Sequence, residues 1–358
     1  MQFQHAHKRM PKVPAWAPYV SAIEVAKGKR VHVKYKGGEF TADPRNLLSL
    51  MVYGDSDAPI SPQVMDLLGR AGVPIIMHRR NVPTTTWIHS GPRSQANDVL
   101  AAQMLARANE HKRRYIARTL LHEKMRAMRW LLDEQPALNP SASIPQLRVL
   151  EAHHAKQYWA IYYRLLERTD ESRRTNGDAK YVLDAVSKFL SGAMLRWVSY
   201  HHLSPFHGFF HEPTGYPALV YDLIEPYRAD YDRIVLDVLA AHKNEDREKL
   251  IAIAIDAVKS AMHQHVYTHE TRQIVLRQEL LHGVVLALRS YILGETKRFV
   301  VPRIGVRRGG RPLTLAYRLP GRDAGPSRIH REVAAVESAE RARRARIDRR
   351  TSSQSRRD

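Results

Sequence analysis

Apolar positions change their period along this chain near residue 93. Before it, alternation at every second residue prevails: residues 19–25 and 29–35 read as short strands parted by a K-G-K turn, and Lys36-Gly37-Gly38 makes a second turn. Residues 48–53 and 73–77 are apolar runs of strand length, and 84–89 is a β-branched run. Between the two apolar runs, Ser61-Pro62 supplies an N-cap and a first helical residue, predicting a helix over 63–70 that stops near Gly72. Gly91-Pro92 closes the region.

After Ser94 the period becomes helical. Over 96–132, Val99, Leu100, Met104, Leu105, Ala108, Ile116, Leu120 and Met128 mark the apolar positions, with Arg and Lys on the remaining faces. Residues 136–145 (P-A-L-N-P-S-A-S-I-P) read as a linker. Further helices are expected at 146–167, 179–202, 217–241, 245–265 and 268–297, with a polar loop over 167–178. The fold class is therefore α+β. A β-rich N-terminal domain (1–92) precedes a larger α-helical one (93–302), and an Arg-rich, partly disordered tail (303–358) follows, with room for a basic helix over 330–350.

Charge changes the picture more than composition does. Hydrophobic content is an ordinary 44%, but 57 Lys and Arg against 36 Asp and Glu leave a formal net charge of +21. Such a surface attracts polyanions, nucleic acid foremost. The tail alone holds sixteen arginines and six acids, so nearly half of the surplus lies there. No apolar run reaches about 18 residues, so no membrane span is expected. The start, M-Q-F-Q-H-A-H-K-R-M-P, lacks the apolar core of a signal peptide, and a cytoplasmic location is the expectation. Cysteine is absent, which excludes disulfides, zinc ribbons and thiol catalysis.

Glu151, His211 and Glu225 are the candidate chemistry. Two carboxylates and an imidazole suit a hard divalent cation, and an acidic metal site in a basic protein suits chemistry on a phosphate backbone. Singly, each has a plain structural explanation: a solvent-facing helix residue, a histidine packed beside Phe209 and Phe210, and an acid near a helix N-terminus. Asp222 shares a helix face with Glu225, and His154 lies one turn from Glu151. A rival set exists: Glu151-Ala-His-His154 and Glu279-Leu-Leu-His282 are both E-x-x-H, the pairing used by helical di-iron proteins. Glycine-rich phosphate loops are absent, and R-R-G-G-R at 307–311 is a short Arg/Gly segment.

Several blocks, in order, resemble the CRISPR-associated spacer-acquisition integrase family of the "Cas-one" type. They are L-M-V-Y-G-D-S-D-A-P-I-S-P-Q-V-M-D-L-L-G-R-A-G-V-P-I-I-M-H, L-E-A-H-H-A-K-Q-Y-W, L-S-P-F-H-G-F-F-H-E-P and P-A-L-V-Y-D-L-I-E-P-Y-R-A-D-Y-D-R. The glycine usual after the first glutamate is Ala152 here. The resemblance places Glu151, His211 and Glu225 as ligands of Mg²⁺ or Mn²⁺, with Asp222 behind the ion or as an accessory ligand. It implies a metal-dependent DNA endonuclease and integrase that inserts spacers by 3′-OH transesterification. It further implies a dimerising N-terminal domain, double-stranded DNA (prespacer and target repeat) as partner, and a small companion subunit. Arg113, Arg114, Lys124, Arg228 and the tail would contact phosphates. A transposon-borne, casposase-like integrase and a non-catalytic DNA-binding protein are the alternatives.

Overall fold

Ten strands and eight α-helices run through the residues that the computed structural model describes: 12–56, 58–79, 85–89, 97–133, 135–168, 170–173, 177–212, 215–305 and 317–323. The N-terminal part holds β1 (Val13–Pro18), β2 (Val20–Ala26), β3 (Arg30–Tyr35), β4 (Gly38–Ala42), β5 (Leu47–Tyr53), α1 (Pro62–Arg70), β6 (Ile75–His78) and β7 (Thr85–Ile88). Strands β2, β3 and β4 form an antiparallel meander, and a second sheet has the order β1-β5-β6-β7. In that sheet β1 and β6 both run parallel to β5, and β7 returns antiparallel on β6. Every residue of β5 is buried, which explains its unbroken apolar run: parallel strands covered on both faces do not alternate. Leu50 and Val52 face a core shared with the meander and α1, while Met51 and Tyr53 join the core of the helical part.

That helical part comprises α2 (Asn97–Ala108), α3 (Glu110–Ala127), α4 (Ile144–Leu165), α5 (Asp178–Tyr200), α6 (Ala218–Ala241), α7 (Arg247–Met262) and α8 (Glu279–Ile292). Helix α5 is its spine, packing on α6, α7 and α8 and across β1, β5 and β6. The approach to the sheet is close because Gly192 has no side chain: a Cβ there would sit 2.5 Å from Ile76 Cδ1 and 3.1 Å from Ser49 Cβ. Phe189, fully buried beside it, is worth roughly 1.5–3 kcal/mol by removal from water. Arg196 fastens the same seam, donating to the carbonyls of Gly72 (2.6 Å) and Ala71 (3.1 Å) at the end of α1.

The architecture is α+β, strands first and helices after, with several differences of detail from the sequence reading. The edge strands β1 and β4 escaped it. The stretch of helical period over 96–132 divides at Asn109, whose side chain accepts from Lys112 N–H and starts α3 afresh. Helix α4 begins at Ile144, inside the expected linker, because Ser143 and Gln146 form a capping box there. The helices expected over 245–265 and 268–297 are interrupted by a hairpin, β8 (His265–Thr268) and β9 (Gln273–Leu276), which β10 (Gly321–Asp323) joins as a third strand. Gly91-Pro92, the R-R-G-G-R segment and the expected basic helix over 330–350 lie outside the described residues. No helix among the described residues is long and apolar enough to cross a membrane.

Candidate active site

Helices α3, α4 and α6 meet around one ammonium group. Lys124 Nζ on α3 lies 2.5 Å from Glu151 Oε1 on α4 and 2.7 Å from Glu225 Oε2 on α6. All three side chains are largely covered. The other Glu225 oxygen accepts from Arg228 at 3.2 Å, and Arg228 Nε reaches to 4.0 Å from Asp232 Oδ1 one turn on. Burial by itself would raise the Glu225 carboxyl; the Lys124 and Arg228 cations, with His211, outweigh it and hold it down at about 2. Burial likewise works against charge on Lys124, and the two carboxylates overcome it, raising the ammonium above its usual range. Pro226 follows Glu225 inside α6 and has no N–H, so it leaves the carbonyl of Asp222 without its helical donor.

His211 comes from the loop between α5 and α6, and Asp222 on α6 holds that loop. Oδ2 of Asp222 accepts from the N–H groups of Phe209 (2.6 Å) and Phe210 (2.9 Å), and Oδ1 from His211 N–H (3.0 Å) and His211 Nδ1 (2.7 Å). Four donors thus already engage this one carboxylate. Because Asp222 only accepts, the ring hydrogen sits on Nδ1 and Nε2 is the atom left for a ligand. Burial pulls the His211 ring toward neutrality, but its bond to Asp222 and the nearby Glu225 prevail and raise it. Gly208 is required here, since a Cβ would lie 2.7 Å from Asp222 Oδ2 and 2.9 Å from the carbonyl of His211.

The loop's carbonyls are held from the other side. Arg107 Nε donates to Gly208 O (2.9 Å), Arg113 Nε to Phe209 O (3.1 Å) and Arg148 to Phe210 O (2.7 Å). The same three arginines, from α2, α3 and α4, converge on Glu212, which pairs with Arg107 at 3.0 Å and Arg148 at 3.4 Å and contacts Arg113 as well. Sequence reasoning passed over Glu212. Its one signal was an acid directly after the candidate histidine, within reach of a basic helix.

Glu225, Arg228 and His211 open onto a cavity of about 670 Å³ that Trp87, Lys188 and Tyr221 also line. Lys188 Nζ donates to the Tyr221 hydroxyl at 2.8 Å and lies 5.5 Å from the centre of the Trp87 ring. Aromatic faces beside cations are what a nucleotide needs, base on ring and phosphate on charge. Among the described residues no three His, Asp or Glu side chains are grouped closely enough to share an ion. Glu151 and Glu225 share the Lys124 ammonium instead.

The family model described as CRISPR associated protein Cas1 matches residues 22–250, more than half of the 358. The chain belongs to the Cas1 family. No curated protein matches its sequence. Solved structures share the Cas1 fold at low identity. A casposase bound to integration product is 16% identical, covering 80% of this chain and 92% of its own, with a TM-score of 0.69. A CAS1 protein from Thermotoga maritima is also 16% identical, covering 78% of this chain and 96% of its own, at 0.64. A chain of a Cas6-RT-Cas1–Cas2 complex is 12% identical, covering 84% of this chain and 37% of its own, at 0.65.

On this Cas1 fold the two E-x-x-H motifs go separate ways. His282 Nε2 lies 2.8 Å from His201 Nε2 and its ring stacks on Trp197 at 3.9 Å, while Glu151 turns to Lys124. The di-iron pairing is therefore set aside. His154 is buried, and His207 bonds to Ser204 Oγ at 2.7 Å. Of the cations expected on phosphates, Lys124 and Arg228 sit within the site and Arg113 in the Glu212 cluster. Arg114 bonds to His111 and to the carbonyl of Ser141. Partners on the same helix, on neighbouring helices and in loops claim these side chains.

Proposed function

We propose that the chain is a divalent-metal-dependent DNA integrase and endonuclease that inserts short DNA fragments into a CRISPR array by 3′-OH transesterification. The observation that carries this reading is the convergence of Glu151 and Glu225 on one cation, with His211 opening onto the same cavity as Glu225. A Lys ammonium is the cation there; two carboxylate oxygens and an imidazole Nε2 are a donor set for Mg²⁺ or Mn²⁺. Glu151, Glu225 and His211 would hold the ion. When bound, it would polarise a phosphoryl oxygen and favour the attacking alkoxide.

The chain's own residues do the rest. Asp222 keeps His211 in the tautomer and direction that present Nε2. Arg107, Arg113 and Arg148 fix the backbone that carries it. Arg228 braces Glu225 so that its second oxygen stays aimed inward. Trp87 and Tyr221, with Lys188, give a strand end a stacking face and a charge beside the acids. The net charge of +21 favours DNA in general and reads little sequence.

Membership of the Cas1 family and the likeness to a casposase bound to integration product support strand joining as the reaction. The likeness to a chain of a Cas1–Cas2 complex supports a small companion subunit, and homodimerisation belongs to the same proposal. The testing experiment is a strand-transfer assay with a labelled DNA fragment and a repeat-containing target in Mg²⁺ or Mn²⁺. Glu151→Gln, His211→Ala and Glu225→Gln should each abolish joining while DNA binding survives. Normal joining by all three removes the assignment, and DNA binding without joining at any metal level favours the non-catalytic alternative.

A further inference from the structure

Lys124 has a place in this site that phosphate binding does not explain. Its side chain is only 10% exposed, and its Nζ points at the acidic pair and not at solvent. The two distances, 2.5 Å to Glu151 and 2.7 Å to Glu225, put the ammonium where the carboxylates converge. Glu225 is not at liberty to turn elsewhere. Arg228 occupies the second oxygen of Glu225, and Glu225 is itself 8% exposed in a packed stretch of α6. Without a cation between them, two largely covered carboxylates aimed at one point would repel each other.

We propose that Lys124 is a built-in competitor of the metal: its ammonium neutralises Glu151 and Glu225 when no ion is present, and the divalent cation binds by displacing it. This rests on the metal-dependent reading above. An ammonium and a divalent ion cannot share one pair of oxygens, because like charges a few ångströms apart in a covered site repel strongly. Metal affinity is therefore the difference between what the carboxylates gain from the ion and what they lose with Lys124. The chain keeps a stable acidic site while free of metal and accepts the ion only when the ion outcompetes a tethered cation.

The test is Mn²⁺ binding to the full chain without DNA, read from the electron paramagnetic resonance signal of free Mn²⁺. Lys124→Met, which keeps the length and removes the charge, should bind Mn²⁺ at least about tenfold more tightly than the unmodified chain. Lys124→Arg, which keeps the charge, should show no such gain. Equal or weaker binding by Lys124→Met overturns the proposal, and so does an equal gain in Lys124→Arg. Absence of Mn²⁺ binding in every form removes the metal reading and this proposal with it, so the two failures are distinguishable.

A second arm uses the unmodified chain, in case Lys124→Met does not hold its fold in chelator. Reductive methylation of Lys124, followed by mass spectrometry, should rise severalfold at saturating Mn²⁺ as the ammonium leaves its partners. Unchanged labelling at saturation overturns displacement.

Discussion

His211 Nδ1 and Asp222 Oδ1 lie 2.7 Å apart, and the same carboxylate collects three backbone N–H groups from the loop that carries the histidine. One side chain thus sets the loop's path and the ring's tautomer together. Asp222→Asn replaces an acceptor oxygen by an amide that faces donors. The expected result is a loss of about 2–4 kcal/mol in denaturant unfolding and a Mn²⁺ affinity lower by about 10–100-fold. Unfolding curves and metal titration check both, and an unperturbed metal affinity would remove Asp222 from its positioning role.

Gly208 tests the same cradle from the backbone side. An added methyl would lie within 3.0 Å of both Asp222 Oδ2 and the carbonyl of His211, neither of which is the end of a flexible chain. Gly208→Ala should cost about 1–3 kcal/mol of stability. Strand joining should fall further than in a variant destabilised equally at a remote site. Thermal melting alongside a joining assay separates the two effects.

Glu212 gathers Arg107, Arg113 and Arg148 into one cluster. Glu212→Gln keeps the shape and removes the charge that holds three guanidiniums together. DNA affinity should hold or rise, since a negative charge leaves a basic surface. Joining should fall about tenfold or more as the loop behind His211 loosens. A matched loss of binding and joining would refute a positioning role.

His201 supplies a pH dependence away from the site. Burial, then the neighbouring His282, lowers its pKa to about 3 from an ordinary 6.5. Between those values the unfolded chain binds a proton there that the folded chain does not, so stability falls as pH drops from 6.5 toward 3. Denaturant unfolding across that range should show His201→Gln with a flatter acid limb, by on the order of a few kcal/mol at the low end. Parallel curves for the two proteins would contradict the assignment.

DNA binding should be dominated by salt. With a net charge of +21, six or more phosphate contacts are a modest expectation. The slope of log affinity against log salt should then be about −5 or steeper. Filter binding at a series of salt concentrations measures it. A flat response would mean that the basic surface is occupied by something other than DNA.

How much of this was legible in sequence depends on whether the signal was local. Ser61-Pro62 could be read as a helix start because capping is a contact three residues long, and Ser61 Oγ does accept from Val64 N–H. The unbroken apolar run of β5 could be read for the same reason. The β8–β9 hairpin could not: two four-residue strands show too few positions to separate period two from period 3.6, and the flanking helices absorbed them. Glu151, His211 and Glu225 emerged only through the order of the blocks around them. Lys124 read as one more cation on a basic helix. Its contact with Glu151 spans 27 residues and two helices, and nothing in the spacing of α3 announces that its face meets those acids.

Strand β5 has one further consequence. Its side chains enter both apolar layers, and α5 uses the sheet as its wall. A truncation at residue 92, inviting because the sequence changes character there, would not liberate a helical module. It would strip Met51, Tyr53 and Ile76 from the flank of α5 and leave Phe189 and its neighbours bare to water. The remnant would be a sticky half-protein, so the two parts of this chain are not interchangeable cartridges and would have to be swapped or redesigned as one piece.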